Sequence, residues 1–387
     1  MLPKNYKVEL LDSSLTPITQ VKALVPLNKE GYFLEYSNRL SDYGKAKFRV
    51  SVQDPLFDAH GDIIQPYANH VRITRDNAIV WQGVIVNNSR RTSQYIEVEA
   101  YEYLFLLTKV GLRHDTNGDT NYRTFNSGTM ATAIQTVLTE AKADAGNILA
   151  NIEIGTIENP TFPQGFVDVN NTSLAGQQWT FSNNFVVKYD YRDVLYVLQS
   201  FGLYAVSDFE LAYNSTTNKL TFNFKKFLGT RKEDVMFDYN AQIGSIEDFD
   251  VPRLGERMAN QIVGVAADNQ FTILKVDYTD DASIKTYGKL WGVAAYADVK
   301  SKNLLIARLR EEGSQISTPD SEMNIVLNER AYPLGVYRVG DIITVQIKHH
   351  IINVKQARRV VGIDVKVHNT GKERIRVYTN KPRPEIA

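Results

Sequence analysis

The sequence predicts an α+β protein, predominantly antiparallel β, with two small β-barrels flanking a mixed α/β insert. Three observations carry that prediction. Both ends of the 387-residue chain alternate apolar and polar side chains with a period of two, which sets one strand face in a core and the other in water. The middle holds stretches whose apolar residues recur at helical spacing. Tyrosine (21) and phenylalanine (17) are plentiful, as strand-rich chains favour.

In the first hundred residues, Tyr6, Val8 and Leu10 alternate with Lys7 and Glu9, and Phe48, Val50 and Val52 with Arg49 and Ser51. Val71 and Ile73 lead to Asp76-Asn77, a hairpin turn pair, and on to the strand 79–86. The polar cluster Asn87-Asn88-Ser89-Arg90-Arg91 then turns the chain into Ile96-Glu97-Val98-Glu99. Short strands at this spacing make a barrel or sandwich over residues 1–106. A mixed α/β insert spans 107–240, opening on the polar loop 114–121. Ser127 caps a helix with Met130, Ile134, Val137, Leu138 and Ala141 on one stripe. After an irregular stretch at 158–184, Asp190 caps a second helix, with Val194, Val197, Leu198 and Phe201 along one face and Gly202 as its stop. A hairpin follows, 209–213 and 220–224 around the turn 214–218. Residues 241–318 continue the insert, with a third helix at 298–312 ending at Gly313 and presenting Leu305, Ile306 and Leu309. The second barrel occupies 319–380: Val339-Gly340-Asp341 turns into the run 342–347, and 360–365 and 375–378 complete the strands. The tail 381–387 is broken by Pro382 and Pro384.

One internal echo links the two ends. Gly83-Val84-Ile85-Val86 precedes a polar turn and Ile96-Glu97-Val98, while Gly362-Ile363-Asp364-Val365 precedes one and Ile375-Arg376-Val377. Strand patterns match one another easily, so duplication and coincidence both stay open.

Composition narrows the function. With 44 basic and 44 acidic side chains, the net charge is zero, which removes the case for a polybasic tail or membrane anchor. No apolar run approaches the roughly 18 residues that span a bilayer, and residues 1–7 lack a signal-peptide core. No membrane segment is expected. The absence of cysteine excludes disulfides, thiolate metal sites and cysteine nucleophiles.

Catalytic signatures are missing too. The chain has no nucleophile elbow, phosphate-cradling loop, dinucleotide fingerprint or H-E-x-x-H. His349-His350, adjacent on a strand, point to opposite faces and cannot converge on a metal. Asp115-Thr116-Asn117-Gly118-Asp119 imitates a calcium loop, yet Thr120 replaces its glycine and Asn126 its bidentate glutamate. An ordinary polar turn is the better reading. The carboxylate pairs Glu97/Glu99, Asp248/Asp250, Asp280/Asp281 and Glu311/Glu312 read as solvated faces. Arg90-Arg91 and Arg358-Arg359 lie beside strands and could meet phosphates or carboxylates, but edge-strand charges that discourage aggregation are the better reading. No catalytic, cofactor-binding or metal residue is assigned, no cofactor is expected, and the protein is read as no enzyme.

Several segments resemble the tail-tip hub proteins of bacteriophages, the family of baseplate hubs and the N-terminal part of tail-associated proteins. They are Trp81-x-Gly83-x-Ile85 with Tyr101-Glu102-Tyr103-Leu104-Phe105-Leu106-Leu107, Asp193-Val194-Leu195 leading to Phe201-Gly202-Leu203, Arg257-Met258-Ala259-Asn260-Gln261-Ile262-Val263, and Tyr332-Pro333-Leu334-Gly335-Val336-Tyr337-Arg338-Val339-Gly340-Asp341. The resemblance implies a structural homotrimer in the virion, assembled in the host cytoplasm, whose paired barrels mimic the six-fold tail tube. It implies as partners the tail tube or a distal tail protein, the tape measure protein, a tip spike or fibre, and duplex DNA in transient passage during genome ejection. Some larger relatives carry lysins or receptor-binding modules on a C-terminal extension; this chain stops at Ala387, so wall digestion is not expected of it. Two alternatives stand beside this reading: a hexameric distal tail ring protein, and a carbohydrate-binding or glycan-cleaving protein using Trp291 or Tyr296 as a sugar platform.

Overall fold

A computed structural model describes residues 5–113, 122–162, 173–181, 187–190, 192–239, 244–252, 255–267, 273–296, 299, 302–319, 322–328, 332–349 and 352–382. The calcium-like loop, His350 and most of the C-terminal tail lie outside the described residues.

The chain is α+β and mostly antiparallel. A first β unit comprises β1 (Tyr6–Leu11), β2 (Pro17–Val21), β3 (Leu24–Val25), β4 (Tyr32–Arg39), β5 (Lys45–Ser51), helix α1 (Pro55–His60), β6 (His70–Arg75), β7 (Ala78–Arg91) and β8 (Tyr95–Glu102). The insert carries β9 (Tyr122–Phe125), β10 (Gly128–Thr129), α2 (Met130–Ala145), β11 (Ile152–Ile157), β12 (Thr180–Phe181), β13 (Val187–Asp190), α3 (Val194–Tyr204) and the hairpin β14 (Asp208–Asn214) with β15 (Lys219–Lys225). Two strands follow, β16 (Arg231–Tyr239) and β17 (Ile246–Asp250). A small sheet, β18 (Gln261–Ala267), β19 (Ile273–Thr279) and β20 (Trp291–Tyr296), comes with α4 (Asp281–Tyr287) and α5 (Lys302–Ile316). The chain ends with β21 (Glu322–Leu327), β22 (Ile342–His349), β23 (Ile352–His368) and β24 (Glu373–Asn380).

Among the described residues no closed barrel is found at either end. Instead both β units belong to one fourteen-stranded sheet, ordered β17-β21-β24-β23-β4-β5-β8-β7-β6-β1-β2, with β22 and β16 branching from β23 and β3 lying on β5. The cause is the length of β23. Its pairing with β22 ends at Ile342↔Arg359, and the edge it keeps beyond that point is taken by β4 from the other end of the chain. A single apolar cluster fills both units, Leu34, Phe48, Ile73 and Trp81 packing in one body with Ile325, Val345, Val365 and Val377. A second cluster fills the insert.

The helices form where their stripes require. Met130, Ile134, Val137, Leu138 and Ala141 are all buried on α2, whose cap is Thr129, accepting from Thr132 N, rather than Ser127. Asp193, not Asp190, caps α3 by accepting from Tyr196 N. The third helix starts at Lys302 and runs past its expected stop to Ile316. Both glycines read as stops lie inside helices, for a shared reason. A Cβ on Gly202 would stand 2.9 Å from Ser207 O, and one on Gly313 would stand 2.5 Å from the Tyr278 ring. They are close-packing glycines.

The polar cluster 87–91 is likewise strand, not turn: β7 continues to Arg91 and bulges twice against β8. Polar residues suit it because that end projects into solvent.

Candidate functional site: the seam between two β units

The two units share a strand order. The first runs β1-β6-β7-β8-β5-β4 and the second β16-β22-β23-β24-β21-β17. The equivalence extends to single residues. Val84 is the last partner of β6 on β7, as Arg359 is the last partner of β22 on β23. One residue on, Ile85 N donates to Asn69 O, and Val360 N donates to Asp341 O. Immediately afterwards β7 bulges between Ile85 and Asn87, and β23 between Val360 and Gly362. The outermost pair departs from the match: β1 and β6 are antiparallel, β16 and β22 parallel. The internal echo is therefore structural, but in a shifted register. Ile96 and Ile375 do coincide, whereas the counterpart of Gly83 is Arg358, not Gly362.

At the seam, β4 and β23 pair antiparallel from Gly362↔Arg39 to His368↔Tyr32. Alternation sorts their side chains. Leu34, Tyr36, Val365 and Val367 enter the core. On the other face Lys366 Nζ lies 3.0 Å from Glu35 and Arg39 Nη2 lies 2.6 Å from Asp364 Oδ1. Tyr378 donates to Asp364 Oδ2 at 2.7 Å.

A buried polar cluster locks the units beneath the seam. Arg75 of β6 holds Glu373 of β24 bidentately, Nε–Oε1 2.6 Å and Nη2–Oε2 3.3 Å. Tyr6 donates to the same Oε1 at 2.6 Å, and Tyr36 lies 3.3 Å from Tyr6, oxygen to oxygen. Burial, reinforced by the neighbouring Glu373 charge, pushes the Tyr6 phenol far up; burial does the same to Tyr36. Both stay neutral donors. A charge pair so enclosed is specific rather than strongly stabilising, because desolvation offsets much of its attraction.

A second lock ties the insert to the second unit. Arg359 and Arg358 are buried, which corrects the reading of this pair as edge charges. Arg359 Nη2 meets Asp208 Oδ2 at 2.5 Å, and its Nε donates to Gly340 O at 3.2 Å. The fully buried Asp341 carboxylate accepts from Thr230 N at 2.7 Å and Arg338 N at 3.0 Å. Nothing in the sequence separates Arg358-Arg359 from Arg90-Arg91, because the carboxylate that Arg359 meets, Asp208, lies 151 residues away.

A cavity of about 770 Å³ opens where the first unit, the β14–β15 hairpin and residues 334–339 meet. Its wall includes Trp81, Glu102 and Tyr337. Burial pushes the Glu102 carboxyl up to about 7, against the downward pull of donors Gly44 N and Asn38 Nδ2. Nearby, burial lowers His70 to about 4, with its Nδ1 3.2 Å from the Tyr103 hydroxyl.

The other candidates disperse. Trp81 is core, with Nε1 donating to Ser37 O at 3.1 Å. Trp291 is exposed on β20, but Tyr296 is buried and donates to Glu312, so the two form no shared platform. Asp280 caps α4, and Glu97 sits between Lys47 and Arg49. His349 packs on Tyr239 and Phe249. Asp248 and Asp250 remain exposed on β17. No described helix is long and apolar enough to cross a membrane.

Comparisons with known proteins meet this geometry at the level of fold. The sequence matches no family model and no curated protein. Solved structures do match. A tail protein from Neisseria meningitidis MC58 superposes with a TM-score of 0.60 over 99% of this chain and 98% of its own, at 9% identity. The 43 kDa tail protein of prophage MuSo2 from Shewanella oneidensis gives 0.61 over 98% and 99%, also at 9% identity. Prophage tail protein gp18 from Listeria monocytogenes EGD-e gives 0.56 over 98% and 95%, at 9% identity. With the paired β units and their insert aligned end to end, the chain has the fold of phage tail proteins.

Proposed function

We propose that this protein is a structural tail-tip hub of a bacteriophage or phage-derived particle. Three copies form a ring that adapts the six-fold tail tube to a three-fold tip and surrounds part of the DNA ejection channel. The observation that carries this reading is the equivalence of the two β units, joined side by side through β4 and β23. A chain that presents one unit twice offers six similar elements from three copies, as a hexagonal partner needs. In the proposed division of labour, residues 1–106 and 319–380, with β16 and β17 added to the latter by pairing, form the ring. Residues 107–240 and 241–318 otherwise project from it.

The tube or distal tail protein and the tape measure protein meet one side of the ring, and a spike or fibre the other. Duplex DNA passes without being gripped, in keeping with zero net charge. The proposed location is the virion tail tip, and the proposed role is structural and not enzymatic.

Mass measurement in solution tests the reading. The expected species is three times the 43.8 kDa chain. A hexamer would replace the hub with a distal tail ring, and turnover of cell-wall or capsule glycans would replace it with a glycan-cleaving protein. Tight duplex binding at physiological salt would remove the channel.

A further inference from the structure

We propose that the cavity beside β14 is a docking slot for an extended, lysine- or arginine-bearing segment of a partner protein, which pairs its backbone with the free edge of β14. The slot lies within one chain, so its occupancy does not depend on how many copies assemble.

The cavity runs along strand edges rather than over a sheet face. β14 contributes Glu210 from one of its faces and Leu211 and Tyr213 from the other, while β7 contributes the consecutive residues Ile79, Val80, Trp81 and Gln82. Both edges are unpaired there. β14 pairs with β15 on one side and with no described strand on the other. Phe209 N donates to Ser41 Oγ at 3.1 Å, so residue 209 turns its backbone away from β15. Its partner Phe224 likewise turns its carbonyl outward, where it accepts from Glu158 N at 2.9 Å. Leu211 and Tyr213 share that phase, so their N–H and C=O groups line the free edge. On β7, β8 reaches only Gly83, opposite Glu102. Residues 78–82 extend past it, and of the described strands only β6 pairs with this stretch. A strand edge left bare in a cavity is the geometry of β-augmentation. Leu211 to Tyr213 spans two rises of about 3.3 Å each, which takes about three extended residues.

The lining selects the charge of the occupant. Asp42, Glu102 and Glu210 face the cavity with no ion-pair partner among the described residues. The arginines of the lining are already opposed by carboxylates, Arg39 by Asp364 at 2.6 Å and Arg338 by Asp341 at 3.9 Å. The surplus is negative. Burial disfavours the Glu102 charge, Arg39 favours it and Asp42 opposes it, so an incoming cation supplies what the site lacks. A second unmet demand lies in the same wall. The Tyr337 hydroxyl is buried and has no hydrogen-bond partner among the described residues. Between these polar groups, Ile79, Leu211 and Leu334 give the segment's alternate side chains an apolar surface.

The chain has no cysteine, so Ser215→Cys at the exposed rim provides one tethering point. The full-length variant is equilibrated, in a reducing buffer, with disulfide-bearing hexapeptides of alternating threonine and valine. Each carries one central lysine and a linking cysteine at one end or the other. The lysine peptide is expected to be captured about tenfold more than its glutamate counterpart, and about tenfold more than the same peptide N-methylated along its backbone. Glu102→Gln and Glu210→Gln, each added to Ser215→Cys, should remove most of the preference for lysine and keep the sensitivity to N-methylation. Glu210 is partly exposed and holds no other described side chain, so its variant reads charge without disturbing the fold. Equal capture of the N-methylated peptide overturns the strand pairing, and equal capture of the lysine and glutamate peptides overturns the charge assignment. Capture of cystamine as strongly as the lysine peptide makes the cavity a small-cation site instead. A disulfide between two chains that outcompetes every peptide makes the occupant a second copy, and either result overturns the proposal.

Discussion

The two β units share a strand order yet spend their sequence differently. The first fills its centre with Trp81, opposite Ile73, and leaves an arginine-tipped β7 projecting into solvent. The equivalent strand of the second, β23, buries Arg358 and Arg359 and is flanked by β4. One long strand serves as an open end in one unit and as a joint in the other. The comparison teaches that a shared topology fixes where edges fall, while the side chains along each edge differ, with Val365 and Val367 buried on β23 and exposed arginines ending β7.

The largest expected effect tests whether the two units are one folding body. Trp81→Ala removes a buried indole and should cost roughly 3–5 kcal/mol. Because the apolar cluster around it runs through both units, the variant should melt in one transition at a lower temperature. A split transition, with the second unit unfolding as in the wild type, would break the comparison. An unchanged melting temperature would place the indole outside the core.

Next is the lock between the units. Glu373→Gln leaves the Arg75 guanidinium buried with a neutral partner and should cost about 2–3 kcal/mol by chemical denaturation. Replacing both residues by leucine should restore most of the loss, since a buried ion pair is expendable once neither charge remains. If the double replacement is as unstable as the single one, the cluster supplies more than charge compensation.

The third effect is confined to the first unit and depends on pH. Glu102 titrates higher when folded, about 7 against an ordinary 4.5, so its contribution is full below about 4.5 and is lost as pH rises through 7. His70 titrates lower when folded, about 4 against 6.5, so its contribution is full above 6.5 and is lost as pH falls through 4. Across about pH 4.5–6.5 the two slopes oppose each other, each at most about 1.4 kcal/mol per pH unit. Relative to wild type, Glu102→Gln should make stability fall more steeply as acid is added. His70→Gln should make it fall more steeply as base is added. Parallel pH profiles for all three proteins would show that neither group is perturbed by folding.

Local features were legible in the sequence because their causes are local. Period-two runs such as Phe48, Val50 and Ala100 with Val98 report a face against a core, and the stripe from Met130 to Ala141 reports α2. The hairpin 208–225 was announced by its Asn-rich turn. The seam was not legible, since β4 and β23 meet across some three hundred residues and each alone reads as an ordinary alternating strand. For the same reason Arg359, opposite Asp208, looked like any edge charge. Gly202 and Gly313 misled because a glycine that ends a helix and one that admits a neighbour look alike in a string. The internal echo was visible but out of register, because β7 bulges twice against its partner and β23 once, and because Arg91 faces Ile96 while the equivalent Val365 faces the more distant Ile375.

The smallest effect separates what holds the seam from what selects it. Glu35 and Lys366 bridge it at 3.0 Å, but both side chains face solvent, 31% and 46% exposed, where water and salt screen the attraction. A double-mutant cycle on Glu35→Ala and Lys366→Ala should give a coupling of about 0.2–1 kcal/mol that shrinks further in molar salt. Val367→Ala, one residue along on the buried face, should cost more than that whole coupling, because it opens space in the shared core. That ordering would assign cohesion to the apolar face and register to the charges. A coupling larger than the Val367 loss would reverse the assignment and make electrostatics the main support of the joint.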